Sequence, residues 1–179
     1  MGRITIVNVV ASTRIGGSID IEALSLKLSN VKYQPKIFPG LIYRKSKPQV
    51  TIIMFYNGKI SCVGAKSEVE AEQAIQSTLK HIEHIGCTIG STRTEDIKIE
   101  NVVGSGAFGY ELDLELIKSH LNNAIYEPEQ FPGLIYRPFN DSTVCLIFSS
   151  GKVVIVGGKS ENQIRKTFQS TEDTIKNIQ

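Results

Sequence analysis

FPGLIYR stands at residues 38–44 of this sequence and stands again, letter for letter, at residues 131–137, an offset of 93 residues. The same offset relates NVV at 8–10 to NVV at 101–103, and GAKS at 64–67 to GGKS at 157–160. A register kept over this length without insertions indicates two copies of one supersecondary unit, related by pseudo-two-fold symmetry. We therefore predict a first repeat at 1–90 and a second at 91–179, with the boundary near residues 86–95.

Each copy has the pattern of a β-α-β-β-β-β-α unit. In the first copy the strand-like runs are 4–11, 31–38, 41–46, 50–57 and 59–65, with a short helix at 20–28. Asn57-Gly58 predicts a type I′ hairpin turn, since both residues tolerate positive φ. Ser67 and Glu70 form a capping box that starts a long helix, and Ser160 and Gln163 repeat it. A buried apolar stripe is predicted on each long helix: Ala71, Ile75, Thr78, Ile82 and Ile85, then Ile164, Phe168, Thr171, Ile175 and Ile178.

The predicted fold class is α+β, with a long helix of each repeat laid across an antiparallel sheet. In the first strand one face carries Ile4, Ile6, Asn8 and Val10, and the other carries Val7, Val9 and Ala11. Both faces are largely apolar, yet the helices suffice to cover only one of them. The second apolar face is either a binding surface or is buried by face-to-face packing of the repeats, and periodicity alone leaves both open.

Composition narrows the class of protein. The 20 Lys and Arg residues nearly balance the 18 Asp and Glu residues, so the net charge of +2 is only a weak sign of a polyanionic partner. No apolar run reaches the roughly 20 residues of a membrane span, and no signal-peptide pattern is present. Cys62, Cys87 and Cys145 lack CxxC spacing, which fits reduced thiols. We expect a soluble, intracellular protein with no membrane association.

Three motifs that suggest other chemistry are set aside. The glycines at 104, 106 and 109 match GxGxxG, but four strands in succession follow, which a dinucleotide-binding unit does not allow. His81, His84 and Cys87 lack the paired ligand spacing of a zinc site. The sequon at 140–142 is interpreted as a turn. Since no nucleophile or P-loop motif is present either, we predict no enzymatic activity, no cofactor and no metal.

Four phenylalanines are the strongest candidate functional residues: Phe38, Phe55, Phe131 and Phe148. Phe55 and Phe148 lie in strand-like runs, where most phenylalanines are core residues. Phe38 and Phe131 directly precede Pro-Gly at a predicted turn, where a core residue is less expected.

The paired FPGLIYR segments, the NVVAS and NVVGS strands, and the GKISCVGAKS and GKVVIVGGKS hairpins together resemble the TATA-binding protein family. The resemblance covers essentially the whole chain, and the intact FPGLIYR in the first copy is similar to archaeal members. It implies a saddle-shaped sheet with helices on its convex face. It also implies a general transcription initiation factor that binds the TATA-box minor groove, bends promoter DNA and recruits transcription factor B and, indirectly, RNA polymerase. Its location would be cytoplasmic at the nucleoid, or nuclear in a eukaryote.

The resemblance also implies residue roles. The four phenylalanines would insert between base steps, a wedging mode of which this family is itself an example. The expected base contacts are Asn8, Asn101, Val10, Val103, Ile53, Leu146, Val154, Val63 and Val156. The expected phosphate contacts are Arg44, Lys59, Lys66, Arg137, Lys152 and Lys159. The acidic pair Glu127 and Glu129, which replaces Gln34 and Lys36 of the first copy, would receive transcription factor B.

The sequence departs from the family pattern at Val63 and Val156, where threonine is common, and at Ser61, where valine is usual. Two other functions are the competing hypotheses against which this one is weighed. The first is a DNA-binding saddle module of a repair protein, such as a DNA glycosylase, which would also need a helix-hairpin-helix domain and a catalytic Lys/Asp pair. The second is a nucleotide-binding enzyme built on the segment GSGAFG at 104–109.

Overall fold

The computed structural model describes residues 2–86, 97–138 and 142–178. Cys87, Asn140, Asp141 and most of the predicted repeat boundary lie outside these ranges. The chain divides into two compact units. One unit is Asn8–Glu100, and the other consists of Asn101–Gln179 and the first residues, Met1–Val7. We call them the N-terminal unit and the C-terminal unit. The predicted division into repeats at residue 90 concerns sequence copies and stays a prediction.

The element order repeats β-α-β-β-β-β-α, as the sequence predicts. The first copy contains β1 (Arg3–Arg14), α1 (Ile21–Lys27), β2 (Val31–Gln34), β3 (Phe38–Ser46), β4 (Gln49–Met54), β5 (Lys59–Ala65) and α2 (Glu68–His84). The second contains β6 (Lys98–Ala107), α3 (Leu114–His120), β7 (Ala124–Ile125), β8 (Leu134–Tyr136), β9 (Val144–Ile147), β10 (Lys152–Gly158) and α4 (Glu161–Lys176). The strands lie in the order β2-β3-β4-β5-β1 and in the order β6-β10-β9-β8-β7.

Both long helices begin where the capping boxes predict. The hydroxyl of Ser67 accepts a hydrogen bond from the N–H of Glu70 at 3.0 Å, and that of Ser160 accepts one from Gln163 at 3.1 Å. The side chains of Glu70 and Gln163 reach back one residue further than in the usual box, to the N–H groups of Lys66 and Lys159. The bonds to the serine hydroxyls satisfy backbone donors that the first helical turn leaves without partners, and the bonds from Lys66 and Lys159 fix the residue before each cap. The stripes are buried as predicted except at their last members, Ile85 and Ile178, which are only half-buried at the frayed ends.

Each long helix covers one face of its sheet. Helix α2 packs on β5 and α4 packs on β10. Side chains toward the helices are fully buried, as for Ile60 and Cys62 on β5 and Val153 and Ile155 on β10. Their neighbours on the opposite face are half-exposed, so that face is not buried. We call it the uncovered face; in the N-terminal unit it carries Asn8, Val10, Thr51, Ile53, Ser61 and Val63, and in the C-terminal unit Asn101, Val103, Val144, Leu146, Val154 and Val156.

The structure corrects the sequence prediction in three places. The simple alternation predicted for β1 is wrong, because Ile6 is buried together with Val9 and Ala11, and the β1–β5 register shifts between Val9 and Val10. Phe38 begins strand β3, so the first chain reversal lies at 35–37 and not at Pro-Gly. The β4–β5 hairpin forms, but Gly58 (φ 81°) takes the positive φ without Asn57, which excludes a type I′ turn.

None of the helices in the described part of the chain is long and apolar enough to span a membrane.

Candidate nucleic-acid interface

The apolar part of the uncovered face is assembled from three neighbouring strands in each unit. In the N-terminal unit Ile53 on β4 lies opposite Ser61 on β5, and Val63 lies opposite Val10 on β1. In the C-terminal unit Leu146 on β9 lies opposite Val154 on β10, with Val103 on the neighbouring β6. Val156 occupies the position equivalent to Val63. Because half-exposed aliphatic side chains on adjacent strands form a continuous apolar patch, this face has the character of a binding surface.

Asn8 and Asn101 stand at equivalent places on the uncovered faces. Each is hydrogen-bonded to a bulge in the strand that pairs with its own strand. The side-chain oxygen of Asn8 accepts a hydrogen bond from the N–H of Gly64 at 2.9 Å, and that of Asn101 accepts one from Gly157 at 3.0 Å. An N–H donor requires the amide oxygen as its partner, so the contact fixes the orientation of the amide. The NH₂ group remains as a donor for a ligand.

The four phenylalanines form two edge-to-face pairs. The ring centroids of Phe38 and Phe55 are 5.7 Å apart, and those of Phe131 and Phe148 are 5.8 Å apart, with an interplanar angle of 65° in both pairs. Phe38 is exposed and the other three are half-buried. We call each pair a wedge pair. The interpretation of Phe55 and Phe148 as ordinary core residues does not hold, because they contact their partners at the surface.

A glycine lies directly beneath each wedge pair. A Cβ atom at Gly40 would stand 2.6 Å from Cε1 of Phe38 and 3.0 Å from Cε1 of Phe55. At Gly133 the same distances to Phe131 and Phe148 are 2.7 and 3.0 Å. Real Cβ atoms do not approach so closely, so both rings need a glycine at this position. This contact gives a physical reason for the phenylalanine and the glycine of the repeated segment, and the sequence alone did not reveal it.

The six predicted phosphate-contacting residues are all exposed: Arg44, Lys59, Lys66, Arg137, Lys152 and Lys159. Lys59 and Lys152 sit beside the wedge pairs, since their carbonyl groups accept hydrogen bonds from the N–H groups of Phe55 and Phe148 at 2.9 Å. Arg44, Lys45 and Lys66 line an open cleft of about 580 Å³ at one side of the N-terminal unit. A basic border around an apolar centre is the charge arrangement expected for a surface that meets a nucleic-acid backbone.

The acidic loop of the second copy is well defined. Glu127 and Glu129 are exposed, and the carbonyl of Glu127 accepts hydrogen bonds from the N–H groups of Gln130 and Phe131 at 2.9 Å. The equivalent turn of the first copy carries Lys36 and the 80% exposed Ile37. The two loops beside the wedge pairs therefore differ in charge, although the pairs themselves have the same geometry.

The GxGxxG glycines serve strand packing. Gly104 and Gly106 lie within strand β6, where a Cβ at Gly104 would stand 2.5 Å from Ile164 and 2.8 Å from Ile4. A Cβ at Gly106 would stand 2.1 Å from the carbonyl oxygen of Arg3. Helix α3 begins only at Leu114, so the glycines form no loop at a helix N-terminus that could cradle a pyrophosphate.

The two cysteines in the described part of the chain take no part in this surface. Cys62 and Cys145 are buried on the helix-covered face. Burial, with a smaller contribution from Glu70, raises the pKa of the Cys62 thiol to about 11, so it stays neutral and unreactive at neutral pH.

The comparisons with known proteins agree with this geometry. The sequence model of the family described as "Transcription factor TFIID (or TATA-binding protein, TBP)" matches residues 3–85 and again 96–178. The TATA-box-binding protein of Methanocaldococcus jannaschii is 45% identical over 176 residues, which is 98% of this chain and 95% of the relative. That of Archaeoglobus fulgidus is 39% identical over 178 residues, covering 98% and 96%.

A solved structure titled "Methanococcus jannaschii TBP" superimposes with a TM-score of 0.88 at 44% identity, covering 98% of this chain and 99% of that one. The match confirms the predicted α+β fold, and the two separate matches of the family model confirm the internal repeat. On the sequence, the fold and the paired surfaces together, the chain belongs to the TATA-binding protein family.

Proposed function

We propose that this protein is a general transcription initiation factor that binds the TATA box through the minor groove and bends the promoter DNA. The observation that carries the proposal is the uncovered face, which combines half-exposed aliphatic side chains, an amide donor and a wedge pair in each unit. Each component matches a property of the A·T minor groove. No part of this mechanism requires a catalytic group, a cofactor or a metal.

The amide groups of Asn8 and Asn101 supply donors, and the minor groove of an A·T pair presents only acceptors, adenine N3 and thymine O2. The aliphatic residues around them leave the amino group of a G·C pair without a partner, which disfavours that pair. The wedge pairs insert at base steps and unstack them, so that the groove opens toward the sheet. The exposed lysines and arginines contact the phosphates that flank the opened groove.

Promoter orientation is proposed to come from a partner. The faces of the two repeats are nearly equivalent, so the DNA contacts alone give a weak preference for one direction. Glu127 and Glu129 place negative charge on one repeat only, and a basic surface of transcription factor B is the complement of this loop. RNA polymerase is recruited through that factor, and the complex acts on chromosomal DNA inside the cell.

The proposal is tested by titrating a labelled A·T-rich promoter duplex and following its anisotropy, with and without transcription factor B. A duplex in which I·C pairs replace A·T keeps the minor-groove surface and changes the major groove, so it should bind with similar affinity. A G·C-substituted duplex should bind at least about tenfold more weakly. Failure of the I·C duplex to bind, with the A·T duplex bound, would show that the protein reads the major groove.

A further inference from the structure

We propose that the Ser61 hydroxyl allows the N-terminal unit to accept a base pair that carries an amino group in the minor groove, whereas Val154 makes the C-terminal unit reject it. The inference rests on the proposed minor-groove function and adds to it a rule for which sequence each repeat tolerates.

The uncovered faces differ at three of six equivalent positions, and at two of these three the polarity changes. The equivalent pairs are Asn8 and Asn101, Val10 and Val103, Thr51 and Val144, Ile53 and Leu146, Ser61 and Val154, and Val63 and Val156. Three pairs are identical and the isoleucine–leucine pair is equally apolar. Within these six pairs the polarity therefore differs only where Thr51 and Ser61 replace valines. The C-terminal face carries one further hydroxyl, that of the half-exposed Ser105, which stands opposite Val154 on β6, one strand further from the wedge pair.

Ser61 lies close to the wedge pair. It stands opposite Ile53 in the β4–β5 register, and the Cγ2 atom of Ile53 converges with the rings of Phe38 and Phe55 above Gly40. Thr51 lies two residues further along β4, where it borders the basic cleft. Of the two hydroxyl groups, that of Ser61 is thus the one placed for the base pairs next to the wedged step.

The Ser61 hydroxyl is available to a ligand. Ser61 is half-buried, and its hydroxyl has no hydrogen-bond partner within residues 2–86, 97–138 and 142–178. Its register neighbour on β1, Ser12, is engaged instead, because it donates to the carboxylate of Glu100 at 2.6 Å. A hydroxyl has one donor and two acceptor lone pairs, so it can satisfy either kind of base edge.

The chemistry then separates the two units. Adenine N3 and thymine O2 accept hydrogen bonds, and guanine adds an exocyclic amino donor. Against Val154 that donor is desolvated without a partner, which weakens binding by about 10- to 100-fold. Against Ser61 the hydroxyl accepts the bond and most of the loss disappears. Each unit would thus impose a different base requirement beside its wedge pair.

The experiment uses a self-complementary A·T duplex, in which both binding orientations are equivalent. Replacing one adenine by 2,6-diaminopurine adds only the minor-groove amino group. The substitution is scanned through the half-site, at one position or at both symmetry-related positions, and affinity is measured by anisotropy. At the position facing Ser61, one substitution should lower the affinity about twofold, because only the orientation that places the amino group under the N-terminal unit still binds well. Two substitutions should lower the affinity about tenfold or more.

Variants of equal shape isolate the hydroxyl. In S61V, a single diaminopurine should lower the affinity as much as the double substitution does for the natural protein. S61T has the shape of S61V but keeps the hydroxyl, so it should behave like the natural protein. V154T should make the double substitution tolerable. If S61V and S61T respond alike at every position, the inference is wrong although the function stands; if the unmodified duplex does not bind, the proposed function itself fails.

Discussion

The side-chain oxygen of Asn101 accepts a hydrogen bond from the N–H of Gly157 at 3.0 Å, and Asn8 makes the same contact with Gly64 at 2.9 Å. The two glycines have φ of 87° and 100°, and each lies where the register with the neighbouring strand shifts. The bulge therefore supplies a backbone donor that is not used in the ladder, and this donor sets which end of the amide faces a ligand.

Asn101→Asp tests this relationship. A carboxylate still accepts the Gly157 N–H bond, so the thermal unfolding midpoint should change by only a few degrees. The variant has no donor for adenine N3 or thymine O2 and adds a negative charge, so affinity for an A·T duplex should fall at least about tenfold. Anisotropy titration measures the affinity. An unchanged affinity would contradict the assignment of the amide as a base contact.

Gly133→Ala tests the support of the second wedge pair. The new Cβ would displace the rings of Phe131 and Phe148, so DNA bending, measured by energy transfer between the duplex ends, should decrease. Gly16→Ala is the matched control, because its Cβ would meet nothing within 4 Å.

Phe131→Ala and Phe148→Ala should also decrease DNA bending. Neither change should unfold the protein, since an edge-to-face pair contributes about 0.5–1.5 kcal/mol. Global unfolding of either phenylalanine variant would make that residue part of the core.

The sequence predicted the repeat, the element order and both capping boxes because each depends on local signals. It could not predict the contact of Gly40 with both rings of a wedge pair, since those rings come from different strands. The alternation predicted for β1 failed for a related reason. Ile6 and Val9 are both buried although they stand three residues apart, so the alternation changes phase between them, and nothing in the strand's own composition marks this change.

The site residues came from the resemblance more than from physical pattern. The structure places all the expected base contacts on uncovered faces and all six basic residues at exposed positions, but their roles toward DNA stay predictions. The Ser61 difference was visible in the sequence. Its position next to Ile53 and the wedge pair required the strand register.

Salt dependence should separate this surface from a purely electrostatic one. Six exposed basic contacts give a slope of log affinity against log salt of roughly −5. Lys59→Ala and Lys152→Ala should each reduce the slope by about one unit without changing base preference. Titrations at several salt concentrations measure the slope, and calorimetry should show a large negative heat-capacity change from apolar burial. A much steeper slope with a heat-capacity change near zero would mean that the uncovered face does not contact the DNA.

Charge reversal at Glu127 and Glu129 should weaken binding of transcription factor B without weakening binding of DNA. Replacing both by lysine removes the acidic complement for transcription factor B, so the ternary complex should weaken in a gel shift. DNA affinity should stay equal or rise, because the change adds positive charge near the phosphates. In the control, glutamate replaces the equivalent first-copy residues, Gln34 and Lys36. Binding of transcription factor B to the protein–DNA complex should then stay intact. An undiminished ternary complex with the lysine variant would remove this loop from the partner site.

Glu172 on helix α4 breaks the repeat, because its counterpart in the first copy is the buried apolar Leu79. Its carboxylate is fully buried; Oε1 accepts bonds from the Gly2 N–H at 3.0 Å and from Lys176 Nζ at 2.9 Å. Burial favours the protonated form, but the bonds from Lys176 and Gly2 outweigh it and hold the pKa of Glu172 below its ordinary value. The ionised group therefore stabilises the start of β1 against α4.

Glu172→Gln should lower the free energy of unfolding by about 1–3 kcal/mol at pH 7, since both of its bonds lose their charged acceptor. A depressed pKa in the folded protein means that the stabilisation is complete above the unfolded value, about 4.3, and is lost as the pH falls through the folded value. Urea unfolding of both proteins between pH 7 and pH 3 should therefore show a difference that shrinks only below about pH 4.3. Glu161→Gln, a partly exposed carboxylate on the same helix 3.8 Å from Arg165, should change stability by less than about 0.5 kcal/mol. A difference for Glu172→Gln that stays constant over the whole pH range would show that the side chain's packing, and not its charge, holds the first strand.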